Sequence, residues 1–159
     1  MCGIVGYVGK ESASPILIES LKRLEYRGYD SAGITVINDS LETYKTVGKI
    51  VDLEEILPGG IIANIGIGHT RWATHGKPET RNAHPHMSAS ISVVHNGIIE
   101  NYLQLKENLI ELGYVFESDT DTEVIAHLLN YKMYNGTKKL DLLTAVRETI
   151  RELEGSYAI

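Results

Sequence analysis

The chain has 159 residues, 43% of them hydrophobic and 23% charged, with a formal net charge of -6, which suits one globular domain with a real core. The acidic balance argues against a nucleic-acid partner and against an anionic membrane surface, and no apolar run approaches the ~20 residues of a transmembrane helix. The single cysteine, Cys2, excludes an internal disulfide and, with no signal-peptide pattern, points to a reducing cytoplasm.

Residues 2–8 (CGIVGYV) are small and β-branched and read as a buried strand. Cys2 in such a run is ordinarily a small hydrophobe. If Met1 is removed, however, it becomes a thiol beside a free α-amino group, a nucleophile with its own base. Their ordinary pKa values, about 8.5 and 7.7–8.0, leave much of the amine able to accept a proton near neutral pH. Ser14-Pro15 looks like an N-cap and first helical residue, and Ile16, Leu17, Leu21 and Leu24 then predict an amphipathic helix over 15–25.

EYRGYDSAG at 25–33 reads as a loop, although Tyr26, Arg27, Tyr29 and Asp30 are more chemistry than a connection needs. A hairpin is expected from 34–38 and 42–47, and a short helix around Leu53, Ile56 and Leu57. IIANIGIGHT at 61–70 predicts another strand. It runs into a long polar loop at 71–86 that carries Arg71, Trp72, Thr74, His75, Arg81, Asn82, His84 and His86. His75, His84 and His86 invite a metal reading. No carboxylate or thiolate completes a ligand set at suitable spacing, so solvated or hydrogen-bonded histidines are preferred.

A strand at 91–95 breaks at Asn96-Gly97, a pair that favours a hairpin turn. The apolar run resumes at Ile98-Ile99 and leads into a helix over 100–112. A strand-to-helix corner there would aim an amide side chain and a backbone N–H at one point, the geometry of an oxyanion hole. A short strand is expected at 114–117. Thr120 with Glu123 fits a capping box that opens a helix over 121–133, with Asp121 as a carboxylate in its first turn. Leu140, Leu143, Val146, Ile150 and Leu153 predict a last helix, and SYAI at 156–159 starts like a strand. A domain rarely ends just inside a strand, so the chain is expected to be part of a longer domain.

The blocks CGIVGY (2–7), RLEYRGYDSAGI (23–34), GHTRWATHG (68–76), NAHPH (82–86), VVHNGIIENY (93–102) and SDTDTEVIAHL (118–128) together resemble the class II glutamine amidotransferases. Within that class they resemble the glutaminase halves of the glutamine–fructose-6-phosphate aminotransferases. The resemblance covers nearly the whole chain. It implies an α+β fold of the N-terminal nucleophile hydrolases, a four-layer α-β-β-α sandwich of mostly antiparallel sheets, as one truncated glutaminase domain over 1–159 that is expected to be incomplete at its C-terminus.

The same resemblance implies residue roles. Cys2 is the nucleophile and its α-amino group the base, forming a γ-glutamyl thioester that water hydrolyses to glutamate and ammonia. Asn96 and Gly97 form the oxyanion hole. Arg71 holds the substrate α-carboxylate and Asp121 the α-ammonium. Thr74, His75 and Gly76 close the pocket, Trp72 gates ammonia passage, and Arg27 with Asp30 shapes the nucleophile's surroundings. No metal or organic cofactor is implied. The resemblance also implies that the glutaminase domain continues beyond residue 159 and that the sugar-phosphate isomerase half is absent, and the missing glutaminase strands should leave an unpaired sheet edge inviting self-association. Two alternatives stand beside this reading: another class II amidotransferase, and a silent fragment that binds glutamine without turnover.

Overall fold

A computed structural model describes residues 2–28, 30–72, 77–135 and 139–159. The apolar run after Cys2 forms strand β1 (Gly3–Val8). Helix α1 (Ala13–Leu24) starts two residues earlier than the Ser14-Pro15 pair predicts. Ser12 stands at the N-cap position, and its hydroxyl donates to the Ile61 carbonyl at 3.0 Å instead of capping the helix. Pro15 is tolerated inside the first turn because N–H groups there have no intrahelical acceptor to lose.

Strand β2 (Ser31–Ile37) begins three residues before the predicted hairpin, so the end of EYRGYDSAG is strand and not loop. It pairs antiparallel with β3 (Leu41–Val47). A short helix, α2 (Ile50–Ile56), follows, its first turn tied by the Lys49 N–H to Asp52 Oδ2 at 2.7 Å. Strand β4 (Ile65–Arg71) is shorter than the apolar run 61–70 and lies between β1 and β2, giving the order β1-β4-β2-β3, all antiparallel. One face of this sheet buries Ile34 and Val36 against Leu17, Leu21, Ile50 and Leu53 of α1 and α2.

The other face meets a second layer. Strand β5 (His86–Ser88), which the sequence leaves inside a loop, pairs with β6 (Ile91–Val93). Contact between the layers is polar as well as apolar. Ser92 Oγ donates to Thr35 Oγ1 at 2.8 Å, and Thr35 Oγ1 lies 2.7 Å from Thr43 Oγ1. Gly33 permits the close approach of the two layers, since a Cβ there would lie 2.2 Å from the His84 carbonyl oxygen.

Asn96 and Gly97 are not at a strand-to-helix corner. They open strand β7 (Asn96–Ile99), which pairs with β8 (Gly155–Ala158) in the register Asn96↔Ala158 and Gly97↔Tyr157. The corner falls after Ile99, before helix α3 (Tyr102–Glu111). Residues 114–117 form no strand. Helix α4 (Glu123–Asn130) has Thr122, not Thr120, at its N-cap, so the predicted capping box does not form and Asp121 precedes the helix. Glu123 instead accepts from the Glu117 and Ser118 N–H groups, at 2.9 and 2.7 Å, and fastens the 117–118 segment. A π-helical turn (Tyr131–Asn135) extends α4. Helix α5 (Leu142–Glu152) is capped by Asp141, which accepts from the Thr144 N–H at 3.1 Å. A second core of Ile91, Val93, Ile99, Leu109, Val124 and Ile125 joins β6 and β7 to these helices. The layers are thus helices, sheet, sheet and helices: an α+β fold with antiparallel strands, as expected.

Candidate active site

The site lies where β1 starts and β4 ends. The register Gly3↔Thr70 brings Cys2 beside the point where the chain leaves β4. Cys2 Sγ accepts from the Trp72 N–H at 3.2 Å and lies 3.6 Å from the Trp72 carbonyl oxygen, to which the thiol donates. Asn96 Nδ2 donates to the Cys2 carbonyl oxygen at 2.9 Å. Two separate elements therefore fix the nucleophile candidate: the end of β4 by its sulfur, and β7 by its backbone.

Cys2, Arg71, Gly97 and Asp121 line one cavity, with Trp72 beside them. Arg71 is 3% exposed and closes β4, where β2 holds its backbone: the Asp30 N–H donates to its carbonyl at 3.0 Å. Burial pulls the Arg71 guanidinium down from its ordinary value, while Cys2, Asp30 and Asp121 oppose that shift. An arginine so placed stays a cation. Asp121 is 5% exposed, and its Oδ2 accepts from the Ile99 N–H at 2.9 Å. A buried cation and a buried carboxylate thus face the same cavity as the thiol. Such a cavity offers opposite charges to the two ends of a zwitterion.

Gly97 needs to be glycine. Its φ is +128°, and a Cβ would lie 2.2 Å from the Ser156 carbonyl oxygen. Cys2 and Gly97 also line a second cavity with Asn96, Ile98 and Tyr157, and Arg27 belongs to that one. Arg27 Nε donates to Tyr26 Oη at 2.9 Å, and its guanidinium lies over the Tyr26 ring at 5.5 Å. Arg27 therefore shares a cavity with Cys2 but not the cavity lined by Arg71 and Asp121. Asp30 contributes through its backbone bonds, to Arg71 and from the Gly48 N–H. Thr74, His75 and Gly76 lie outside the described residues, as do Met1 and Tyr29.

The rest of the main cavity wall is His84, which the sequence offers as a loop candidate, and His95, Thr120 and Thr122, which it does not single out as binding groups. Thr122 Oγ1 lies 2.8 Å from His95 Nδ1 and 3.2 Å from His84 Nε2. His86 Nε2 lies 3.0 Å from Thr120 Oγ1, and His69 Nε2 lies 3.0 Å from the His95 carbonyl oxygen. The His69 and His84 rings stack with centroids 4.0 Å apart. Burial pushes His69 and His86 down to about 3 and His84 well below its ordinary value, so these rings are neutral near pH 7. His84 and His86 each have a hydrogen-bond partner, and His75 lies outside the described residues. Among the described residues no group of three or more His, Cys, Asp or Glu side chains is placed to hold a metal. One signal for this wall was available: His95 ends an apolar strand, and a buried histidine needs partners.

A family model described as a glutamine amidotransferase domain matches residues 69–159, more than half of the chain. Over its whole length the chain is 60% identical to the glutamine–fructose-6-phosphate aminotransferase [isomerizing] of Methanosarcina acetivorans and spans 27% of that protein. It is 57% identical to the protein of the same name from Acinetobacter baylyi, spanning 26% of it. Among solved structures, glutamine phosphoribosylpyrophosphate amidotransferase from B. subtilis, complexed with ADP and GMP, superposes with a TM-score of 0.82 at 28% identity. That match covers 99% of this chain and 34% of the other. The buried Arg71–Asp121 cavity beside Cys2, the layered antiparallel fold and these matches agree: the chain belongs to the glutamine amidotransferase domain family.

Proposed function

We propose that this chain hydrolyses the side-chain amide of glutamine through a thioester on Cys2. The observation that carries the reading is the shared cavity of Cys2, Arg71, Gly97 and Asp121. Arg71 takes the α-carboxylate, where its planar fork suits two oxygens. Asp121 takes the α-ammonium. The amide carbon then lies toward Cys2 Sγ. Removal of Met1 frees the Cys2 α-amino group, which accepts the thiol proton directly or through one water. The thiolate attacks and the carbonyl oxygen becomes an oxyanion. The Gly97 N–H and the second N–H of the Asn96 amide, whose first is given to the Cys2 carbonyl, are its donors. Ammonia leaves with the proton, and water cleaves the thioester to glutamate. Trp72, 45% exposed at the cavity, is assigned to the path by which ammonia leaves. Thr74, His75 and Gly76 are assigned to pocket closure by the resemblance alone.

The relatives' name supports a wider role. In a longer protein, the ammonia would pass to a sugar-phosphate domain and aminate fructose 6-phosphate. The lone cysteine fits a reducing cytoplasm. Self-association is assigned to β8, which pairs only with β7 among the described residues and so presents a strand edge. Ammonia release from glutamine, compared between the unaltered chain and Cys2→Ala, tests the reading. Glutamine-dependent release lost in Cys2→Ala supports it. Glutamine binding by calorimetry without any release favours the silent binding module.

A further inference from the structure

We propose that Asn82 is a positioning residue that sets the spacing between the Arg71 and Asp121 arms of the cavity. The inference rests on the glutamine reading above.

Asn82 is fully buried and lies on the short 3-10 turn Thr80–Asn82. Both ends of its amide are used. Nδ2 donates to the Lys77 carbonyl at 3.0 Å and to Asp119 Oδ2 at 3.3 Å. Oδ1 accepts from the Asp119 N–H at 2.9 Å. The same Lys77 carbonyl accepts from Arg71 Nη1 at 3.3 Å. One line of bonds therefore runs from the Arg71 guanidinium through the Lys77 carbonyl and the Asn82 amide to the Asp119 backbone. Asp119 stands two residues before Asp121, whose far side is fixed by the Ile99 N–H.

This line joins the two chain segments that supply opposite charges to the cavity. Arg81 adds a strap outside it, with Nη2 donating to Asp119 Oδ2 at 2.8 Å. That pair is half-exposed, and exposed ion pairs contribute little. A buried amide whose partners are taken away leaves several polar groups unmatched, which is far more costly. An α-amino acid is held at both charged ends only when cation and carboxylate stand the right distance apart, and a shift of about 1 Å is enough to lose roughly 10²-fold in a well-aligned site. Asn82 touches no substrate atom in this account. It acts through Lys77 on Arg71 and through Asp119 on Asp121.

The test is calorimetric titration of the full chain and of Asn82→Ala with three amides, every chain carrying Cys2→Ala so that glutamine is bound and not consumed. These are L-glutamine, 5-amino-5-oxopentanoate, which lacks the α-ammonium, and 4-aminobutanamide, which lacks the α-carboxylate. Asn82→Ala is expected to weaken glutamine about tenfold and each one-armed amide by less than about twofold, because each arm survives and only their spacing is lost. Equal weakening of all three, which a general loss of structure produces, overturns the inference; so does unchanged glutamine affinity. A chain with Asn82 intact that does not prefer glutamine over the one-armed amides sinks the glutamine reading itself, and the inference with it. If Asn82→Ala does not fold, Asp119→Ala decides. It removes an exposed carboxylate that accepts from Asn82 but keeps the backbone N–H. About threefold weaker glutamine binding with unchanged one-armed amides is expected from it, and unchanged glutamine affinity contradicts the inference.

Discussion

Asn96 Nδ2 donates to the carbonyl oxygen of Cys2 across 2.9 Å, joining residues 94 positions apart. The bond ties β7 to the backbone of Cys2, and on the proposed mechanism the same side chain both aims Cys2 and meets the oxyanion. Asn96→Ala is therefore expected to lower the rate of ammonia release by at least about 10²–10³, the usual effect of losing one oxyanion donor. Asn96→Asp is expected to be no better, because it sets a carboxylate against a carbonyl oxygen. Steady-state release at saturating glutamine measures both. A rate within twofold of the unaltered chain would show that Asn96 does neither job.

The charged arms separate by ligand. Asp121→Asn keeps an oxygen that can accept from the Ile99 N–H but removes the charge. Glutamine affinity is expected to fall by about 1.5–3 kcal/mol, the worth of a charge-assisted bond, while binding of 5-amino-5-oxopentanoate stays unchanged. Arg71→Lys keeps the charge and loses the two-pronged donor, so the KM for glutamine should rise about tenfold with a smaller effect on kcat. Calorimetry and initial rates check the two variants respectively.

Stability is expected to fall in mild acid. His69, His84 and His86 are buried with pKa values depressed below 6.5, the first and last to about 3. Between about pH 6.5 and pH 3 the unfolded chain binds protons at these positions that the folded chain refuses. Their contribution is whole above pH 6.5 and declines as pH falls, by about 1.4 kcal/mol per pH unit for each withheld proton. Glu123 adds a lower step. Burial opposes its ionisation, but the nearby His127 ring, with Nε2 3.4 Å from Oε1, and bonds from the Glu117 and Ser118 N–H groups and the Ser118 hydroxyl outweigh burial and hold its carboxyl down to about 2. That stability is present above about pH 4.5 and lost toward pH 2. Urea midpoints at pH 7.5, 5.5 and 4.0, with constant m, check the order. A midpoint that is flat from 7.5 to 5.5 contradicts the histidine assignment.

Gly97→Ala combines strain at φ +128° with a Cβ 2.2 Å from the Ser156 carbonyl oxygen. The strain alone costs about 1–3 kcal/mol. The clash must also part β7 from β8, so hydrogen exchange in 155–158 should quicken ahead of exchange in β2 and β4. Equal protection in both sheets would place the strain elsewhere.

Much of the fold was legible because apolar periodicity reports burial directly. β1, the β2–β3 hairpin and the face of α1 that carries Leu17 and Leu21 follow from it. What failed was set by tertiary pairing. β5 is only His86-Met87-Ser88 within a polar stretch, too short and too polar for a periodic signal. Ser31 and Ala32 look like loop but are drawn into β2 by pairing with Arg71 and Thr70 of β4. Tyr114 and Phe116 pack on the second core without a strand partner, so alternation there reflected packing and not pairing. In the site, Cys2, Arg71, Asn96 and Asp121 were visible as motif residues, yet only the β1–β4 register shows why Cys2 meets Trp72, 70 positions away. Of the histidine–threonine wall only His84 stood out, as one of the loop histidines, because the hydrogen bonds that join it to Thr122 and His95 come from residues 38 and 11 positions away. Asn82 was visible merely as one polar residue in a long loop.

If Cys2 is an N-terminal nucleophile facing a glutamine pocket, an electrophilic glutamine analogue should label it. Intact mass of the purified chain before and after exposure to such an analogue is the decisive measurement. The expected product is a chain lacking Met1 that gains one adduct, mapped to Cys2 and suppressed by excess glutamine. A chain that loses Met1 and gains no adduct, or gains one that glutamine does not suppress, would contradict it.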